Sequence, residues 1–266
     1  MLPITEPNGI ARIHAAFANA RPSGVAVLPF ITAGYPDIAT TERLLRELPA
    51  AGADVIELGF PFSDPIADGP VIAESMHRAL LGGATPDAIF NAVARTRPSV
   101  PVIAMVSISI VERMGKAAFI ERATAAGFSG FIVPDADPAA ATELSRLAAE
   151  RGAGFCALVS PSTTAQRLVE LARISTGFVY LLARVGVTGE RSDAPEIADR
   201  AAATRRATTN PIAAGFGIGT REHVLAVAKH ADGAIVGSAI VRRMTEAHEK
   251  GESAAEAALS LVRSLR

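Results

Sequence analysis

The chain has 266 residues, 49% of them hydrophobic, enough to bury a substantial core in one large domain or two small ones. Its 26 Lys and Arg nearly balance 27 Asp and Glu, so a net charge of -1 gives no electrostatic ground for nucleic acid or an anionic membrane as partner. The single cysteine, Cys156, excludes an internal disulfide.

Short apolar, β-branched runs recur along the chain, and amphipathic segments rich in Ala, Leu, Glu and Arg follow them. In chain order, a helix over about Asn8 to Ala20 precedes strand Val25 to Thr32, helix Ile38 to Ala50, strand Asp54 to Gly59 and helix Pro86 to Thr96. Strand Pro101 to Ser107, helix Lys116 to Ala126, strand Gly130 to Pro134 and helix Ala139 to Arg151 come next. Strand Gly154 to Ser160, helix Thr164 to Ile174, strand Gly177 to Ala183 and helix Ala194 to Ala207 follow. Strand Pro211 to Gly215, helix Arg221 to Lys229, strand Gly233 to Val236 and helix Ala239 to Glu249 complete the series. Asp37, Thr163 or Thr164, and Thr220 stand where N-caps belong, and Gly52, Gly127, Gly152 and Gly177 where left-handed C-terminal residues belong.

The near-continuous apolarity of the strands is that of a parallel sheet covered on both faces. Eight alternations in this length predict an α/β fold, a (β/α)8 TIM barrel, with the extra N-terminal helix over its floor. An open doubly wound sheet would carry a Gly-rich turn after its first strand, a pattern that Ile31-Thr32-Ala33-Gly34-Tyr35-Pro36 lacks. No linker or low-complexity stretch divides the chain, so residues 1–266 read as one barrel domain.

The segment from Ile56 to Pro70 concentrates the chemistry. Glu57 sits inside an apolar strand, and a loop punctuated by Pro61, Pro65 and Pro70 brings Asp64 and Asp68 back toward the strand end. Carboxyls in unlike surroundings acquire unlike pKa values, as proton transfer requires; the strand alone fits equally a structural ion pair between Glu57 and a strand Lys or Arg. Other strand ends offer Asp135, Tyr180 and Arg184. The glycines of Gly215-Phe216-Gly217-Ile218-Gly219 and Gly237-Ser238-Ala239 precede helix starts, where backbone N–H groups can hold a phosphate. The loop Val185 to Glu190 reads as a lid or a plain surface loop. The five histidines lack metal-ligand spacing, so no metal is expected. The segment Met1 to Asn8 lacks the pattern of a signal peptide, no apolar run reaches membrane-spanning length, and Cys156 reads as a buried small hydrophobe; a cytoplasmic protein is expected.

The strand ends together resemble the tryptophan synthase α subunit family. The matching segments are Leu28 to Pro36, Glu57 to Pro70, Tyr180 to Gly189, Gly215 to Ile218 and Gly237 to Val241. The resemblance implies reversible retro-aldol cleavage of indole-3-glycerol phosphate to indole and glyceraldehyde 3-phosphate, with no cofactor in this chain. It implies Glu57 as the residue that moves protons at the glycerol hydroxyl and indole C3, and Asp68 as the acceptor of the indole N–H. Phe30 would line the indole pocket, Tyr180 would approach the glycerol, and Gly189, Gly217, Gly237 and Ser238 would hold the phosphate. Phe216 would also contact substrate, and Arg184 and Thr188 would engage when the loop closes. The implied partner is a β subunit carrying pyridoxal phosphate, in an α2β2 complex. The chain departs from the family pattern after strands three and four, where Ser107 and Ser109 stand for the usual Tyr and Asn and Asp137 for a Pro, at an edge that helps contact the β subunit. A stand-alone lyase, a non-catalytic ligand-binding regulator and a sugar-phosphate isomerase are the alternatives.

Overall fold

The structure, a computed structural model, describes residues 8–20, 24–65, 68–182, 197–215 and 217–266. Its strands are β1 (Ala26–Thr32), β2 (Ile56–Gly59), β3 (Val102–Met105), β4 (Gly130–Ile132), β5 (Gly154–Phe155), β6 (Leu158–Val159), β7 (Val179–Leu182), β8 (Ile212–Gly215) and β9 (Gly233–Val236). All ladders are parallel, in the order β5-β4-β3-β2-β1-β9-β8-β7-β6. β5 and β6 are two halves of the predicted fifth strand: the first pairs with β4 and the second with β7, so this one segment closes the barrel. Between the halves, the Cys156 N–H donates to Phe131 O and the Tyr180 N–H to Ala157 O, which carries the ring of hydrogen bonds across the seam.

The predicted helices appear as α1 (Gly9–Ala20), α2 (Ile38–Ala51), α4 (Pro86–Thr96), α6 (Lys116–Ala126), α7 (Pro138–Glu150), α8 (Ala165–Ile174), α9 (Ala198–Ala207), α10 (Arg221–Ala228) and α11 (Ser238–Glu249). Asp37, Thr164 and Thr220 do cap, each accepting from the backbone N–H three residues on. Three further helices were not expected: α3 (Pro70–Leu81), α5 (Ile108–Met114) and α12 (Ala254–Ser264). α3 begins at Pro70, whose missing N–H costs nothing in the first turn, so the loop punctuation of the sequence was also a helix start. α5 is only seven residues long, too short for a helical period to show. α12 carried a legible signal, Ser253 three residues ahead of Glu256, and Ser253 Oγ accepts from the Glu256 N–H. No helix among the described residues is long and apolar enough to cross a membrane.

α1 closes the barrel floor. Ile13 and Phe17 are buried, and a Cβ added at Gly130, Gly154 or Gly177 would lie 3.1, 2.9 or 3.3 Å from Ile13 Cδ1, while one at Gly233 would lie 2.7 Å from Phe17 Cε1. Glycines on adjoining strands thus form the sockets that receive the helix. Hydrogen bonds fix the dock: His14 Nε2 lies 3.0 Å from Gly177 O, and an Arg12 guanidinium N–H group donates to Pro98 O and Val100 O. Gly52, Gly127 and Gly152 have positive φ, as expected, but Gly177 does not; α8 ends at Ser175, and Gly177 is needed because a Cβ there would lie 2.7 Å from Cys156 Sγ. The Cys156 thiol is buried, and burial raises its pKa.

Gly177→Ala is expected to lower the unfolding free energy by about 1–3 kcal/mol through overpacking, and by less in a Cys156→Ala background, where the sulfur is gone. Urea unfolding of the four-member cycle measures this, and strict additivity would refute the contact.

Candidate active site

β2 turns Glu57 into the barrel interior, in register with Phe30 of β1 and Ile103 of β3. Its side chain is fully buried, and neither carboxyl oxygen has a hydrogen-bond partner among the described residues. Among the described residues no Lys or Arg pairs with Glu57, contrary to the ion-pair expectation. Burial alone pushes its pKa well above the ordinary glutamate range, which favours the neutral acid.

Above this layer a cleft opens to solvent; its empty space of about 540 Å³ includes part of that solvent. Phe30, Ile72, Met105, Leu182, Ile218 and Ile235 supply apolar walls, Asp68 and Tyr180 supply polar side chains, and Gly217, Gly237 and Ser238 supply backbone. Glu57 is not in the lining; it lies in register with Phe30, which is. Two glycines shape this pocket. A Cβ at Gly59 would lie 2.5 Å from Phe30 Cζ, and one at Gly215 would lie 2.5 Å from the Tyr180 hydroxyl. Tyr180 is nearly buried, and burial, then the charges of Glu57 and Asp68, raise its pKa, so it remains a phenol.

Asp68 enters from the loop after β2, where its N–H donates to Pro65 O at 3.1 Å. Its pKa is pushed up to about 6, first by burial and second by the negative charge of Asp135. Asp64 takes no part: it is exposed, outside the cleft lining, and accepts from Ser63 Oγ at 2.6 Å. At the far end Gly217 has φ +74, and α11 starts at Ser238 behind Gly237 with no side-chain cap. Gly237, Ser238 and Ala239 at this helix start line the cleft, and a helix N-terminus there is suited to an anion.

The cleft thus gathers Phe30, Asp68, Tyr180, Gly217, Gly237 and Ser238, with Glu57 buried beside Phe30. Arg184, Thr188, Gly189 and Phe216 lie outside the described residues. Sequence reading missed Ile72, Met105, Leu182 and Ile235; Ile72 belongs to the unexpected α3, and the others are apolar strand residues whose facing no single position reveals. Ser107 and Asp137, which stand out as departures, are helix caps: Ser107 Oγ accepts from the Ser109 N–H and Asp137 from the Ala140 N–H. No cluster of three His, Cys, Asp or Glu suited to a metal occurs among the described residues. Chemically, the arrangement offers a buried acid, a more accessible carboxylate across an apolar slot, and free backbone donors for an anion.

Asp68→Asn is expected to stabilise the fold. A folded pKa of about 6 against an ordinary 3.8 means that ionised Asp68 costs the native state stability as pH rises from about 4 through 6. With discount for its partial exposure, the gain is about 1–3 kcal/mol above pH 7, and it shrinks toward zero as pH falls to about 4. Urea unfolding across this range decides, and a gain independent of pH would refute the shift.

Comparison with known proteins agrees on one group. A family model for the tryptophan synthase alpha chain matches residues 17–266. The tryptophan synthase alpha chain of Gloeobacter violaceus is 43% identical over 251 residues, covering 93% of this chain and 90% of that protein. That of Halorhodospira halophila is 41% identical over 264 residues, covering 96% and 97%. Among solved structures, Mycobacterium tuberculosis tryptophan synthase superposes with a TM-score of 0.87 at 32% identity, covering 96% of each chain.

Proposed function

We infer the activity from a family premise: this chain belongs to the tryptophan synthase alpha chain family, and it is a carbon-carbon lyase that cleaves indole-3-glycerol phosphate reversibly to indole and glyceraldehyde 3-phosphate. The observation that carries the assignment of roles is the pair of carboxyls in unlike surroundings, Glu57 buried without a partner and Asp68 at the cleft wall.

The C–C bond to the indole ring can break once C3 is protonated, which places positive charge on the ring nitrogen. Glu57, favoured as the neutral acid, gives its proton to C3. The carboxylate left behind is a strong base in apolar surroundings, and it takes the glycerol hydroxyl proton as the C–C electron pair returns to the ring. The hydroxyl carbon becomes the aldehyde, indole is neutral again, and Glu57 is restored as the acid. Asp68 accepts the indole N–H and opposes the positive charge where it develops. Phe30 and its apolar neighbours hold the ring, Tyr180 adjoins the glycerol, and backbone of Gly217, Gly237 and Ser238 holds the phosphate. Gly189 would join the phosphate site, Phe216 the pocket, and Arg184 and Thr188 the closing loop.

The family needs no cofactor in this chain. Its partner is a β subunit, in an α2β2 complex, that holds pyridoxal phosphate and consumes indole. A second groove, lined by Pro61, Phe62, Ser109, Ile110, Arg113 and Met114 beside the ends of β2 and β3, supports docking at that edge despite the changed residues. Residues 1–266 would act as one cytoplasmic barrel domain.

Indole release from indole-3-glycerol phosphate tests this, with and without an added β subunit. Glu57→Gln is expected to lower kcat by about 10²–10⁴-fold. Because Asp68 must be ionised to accept the N–H, kcat/KM is expected to fall on the acid side with a midpoint near pH 6. A steep rise on adding β supports the complex; activity indifferent to β would mark a lyase acting alone, and no Glu57-dependent indole in either condition would refute the assignment.

A further inference from the structure

Asp135 leaves β4 and reaches across to the end of β3. Its Oδ2 accepts from Ser107 Oγ at 2.7 Å and its Oδ1 from the Ile108 N–H at 2.8 Å. Ser107 Oγ accepts in turn from the Ser109 N–H at 3.2 Å. One donor on each oxygen fixes both the position and the orientation of this carboxylate. In the family resemblance this position belongs to a tyrosine; here the short Ser107 hydroxyl performs this task.

Asp68 stands at the same mouth of the barrel, and Met105, two residues before Ser107, shares its cleft. The charged or titratable groups around it are few. Asp135 acts on it from the strand-four end, and Tyr180 and Glu57 belong to the interior beneath; among the described residues no cation contributes to its state.

We propose that Asp135, oriented by Ser107 and the Ile108 N–H, is a positioning residue of the lyase, one that sets a second negative charge beside Asp68 to favour positive charge on the indole ring. The inference rests on the lyase reading above. Two neighbouring carboxylates repel in the empty site, and a neutral indole ring relieves that repulsion little. An indolium relieves it fully, so the gain is realised in the transition state and belongs in kcat rather than KM.

The test follows the Asp68 carboxyl by ¹³C NMR titration, assigned by its loss in Asp68→Asn, together with kcat and KM for indole-3-glycerol phosphate. Asp135→Asn is expected to lower the Asp68 midpoint by about half to one pH unit and kcat by about 5–50-fold, with KM within about twofold. Ser107→Ala should move both readouts part of the way, and Ser107→Thr, which keeps the hydroxyl, should restore them. An unmoved Asp68 midpoint in folded Asp135→Asn would overturn the proposal and leave Asp135 as a helix cap alone; so would a loss confined to KM. If the wild-type chain releases no indole, the lyase reading and the catalytic part of the proposal fall together. If indole is released and the midpoint stays put, only the positioning role is lost.

Discussion

The interior of the barrel is packed with apolar side chains, and one carboxyl is placed inside it. Ile13 and Phe17 seal the floor by entering sockets made by Gly130, Gly154, Gly177 and Gly233. The strands above add Leu28, Ile103, Ile132 and Phe178, all fully buried. Glu57 belongs to this interior and finds no hydrogen bond among the described residues. A buried polar group without a partner destabilises a fold, and natural cores seldom retain one without a reason. Under the proposed function the reason is chemical: described surroundings that offer no donor to a carboxylate keep the proton on the acid, and they would make the carboxylate a strong base after it is given up. The same floor that stabilises the barrel therefore sets the reactivity of the residue above it.

Much of this was legible in the sequence because it rests on period and punctuation. The strands register as apolar runs whose boundaries fall within a few residues of the ladders, and Asp37, Thr164 and Thr220 cap where short polar side chains ahead of apolar periods should. The Glu57 segment stood out because a charge inside a β-branched run has no solvent to reach. Less legible were features that depend on what a residue meets across the fold. Gly177 looks like a helix end and is in fact a contact with Cys156 and Ile13. Pro70 looks like loop punctuation and opens α3, which delivers Ile72 to the cleft. Ser107 and Asp137 look like losses from a docking edge, yet each caps a helix. Asp135 is visible as a strand-end carboxylate, but its link to Asp68 requires the barrel to bring the second and fourth strand ends to one mouth.

The two acids are set apart by depth. Glu57, below the cleft lining, feels burial alone; Asp68, in the lining, feels burial and a second carboxylate. The deeper group is held as an acid, while the shallower one is ionised above about pH 6 and carries its charge at some cost to the free protein. Tyr180 lies near both and stays a neutral phenol, since burial first, and then the neighbouring carboxyls, disfavour its ionisation. Such a site is badly matched to itself when empty and well matched to a ligand that brings positive charge to one end and an anion to the other. In the proposed function the start of α11, which has no side-chain cap and lines the cleft through Gly237 and Ser238, would complete that polarity, since a helix N-terminus favours an anion. A substrate reversed in the cleft would set its phosphate against a carboxylate and its indole against bare backbone donors. On the proposed reading, charge would decide orientation before any close contact forms, and the productive orientation would bring the ring alongside Phe30, next in register to Glu57.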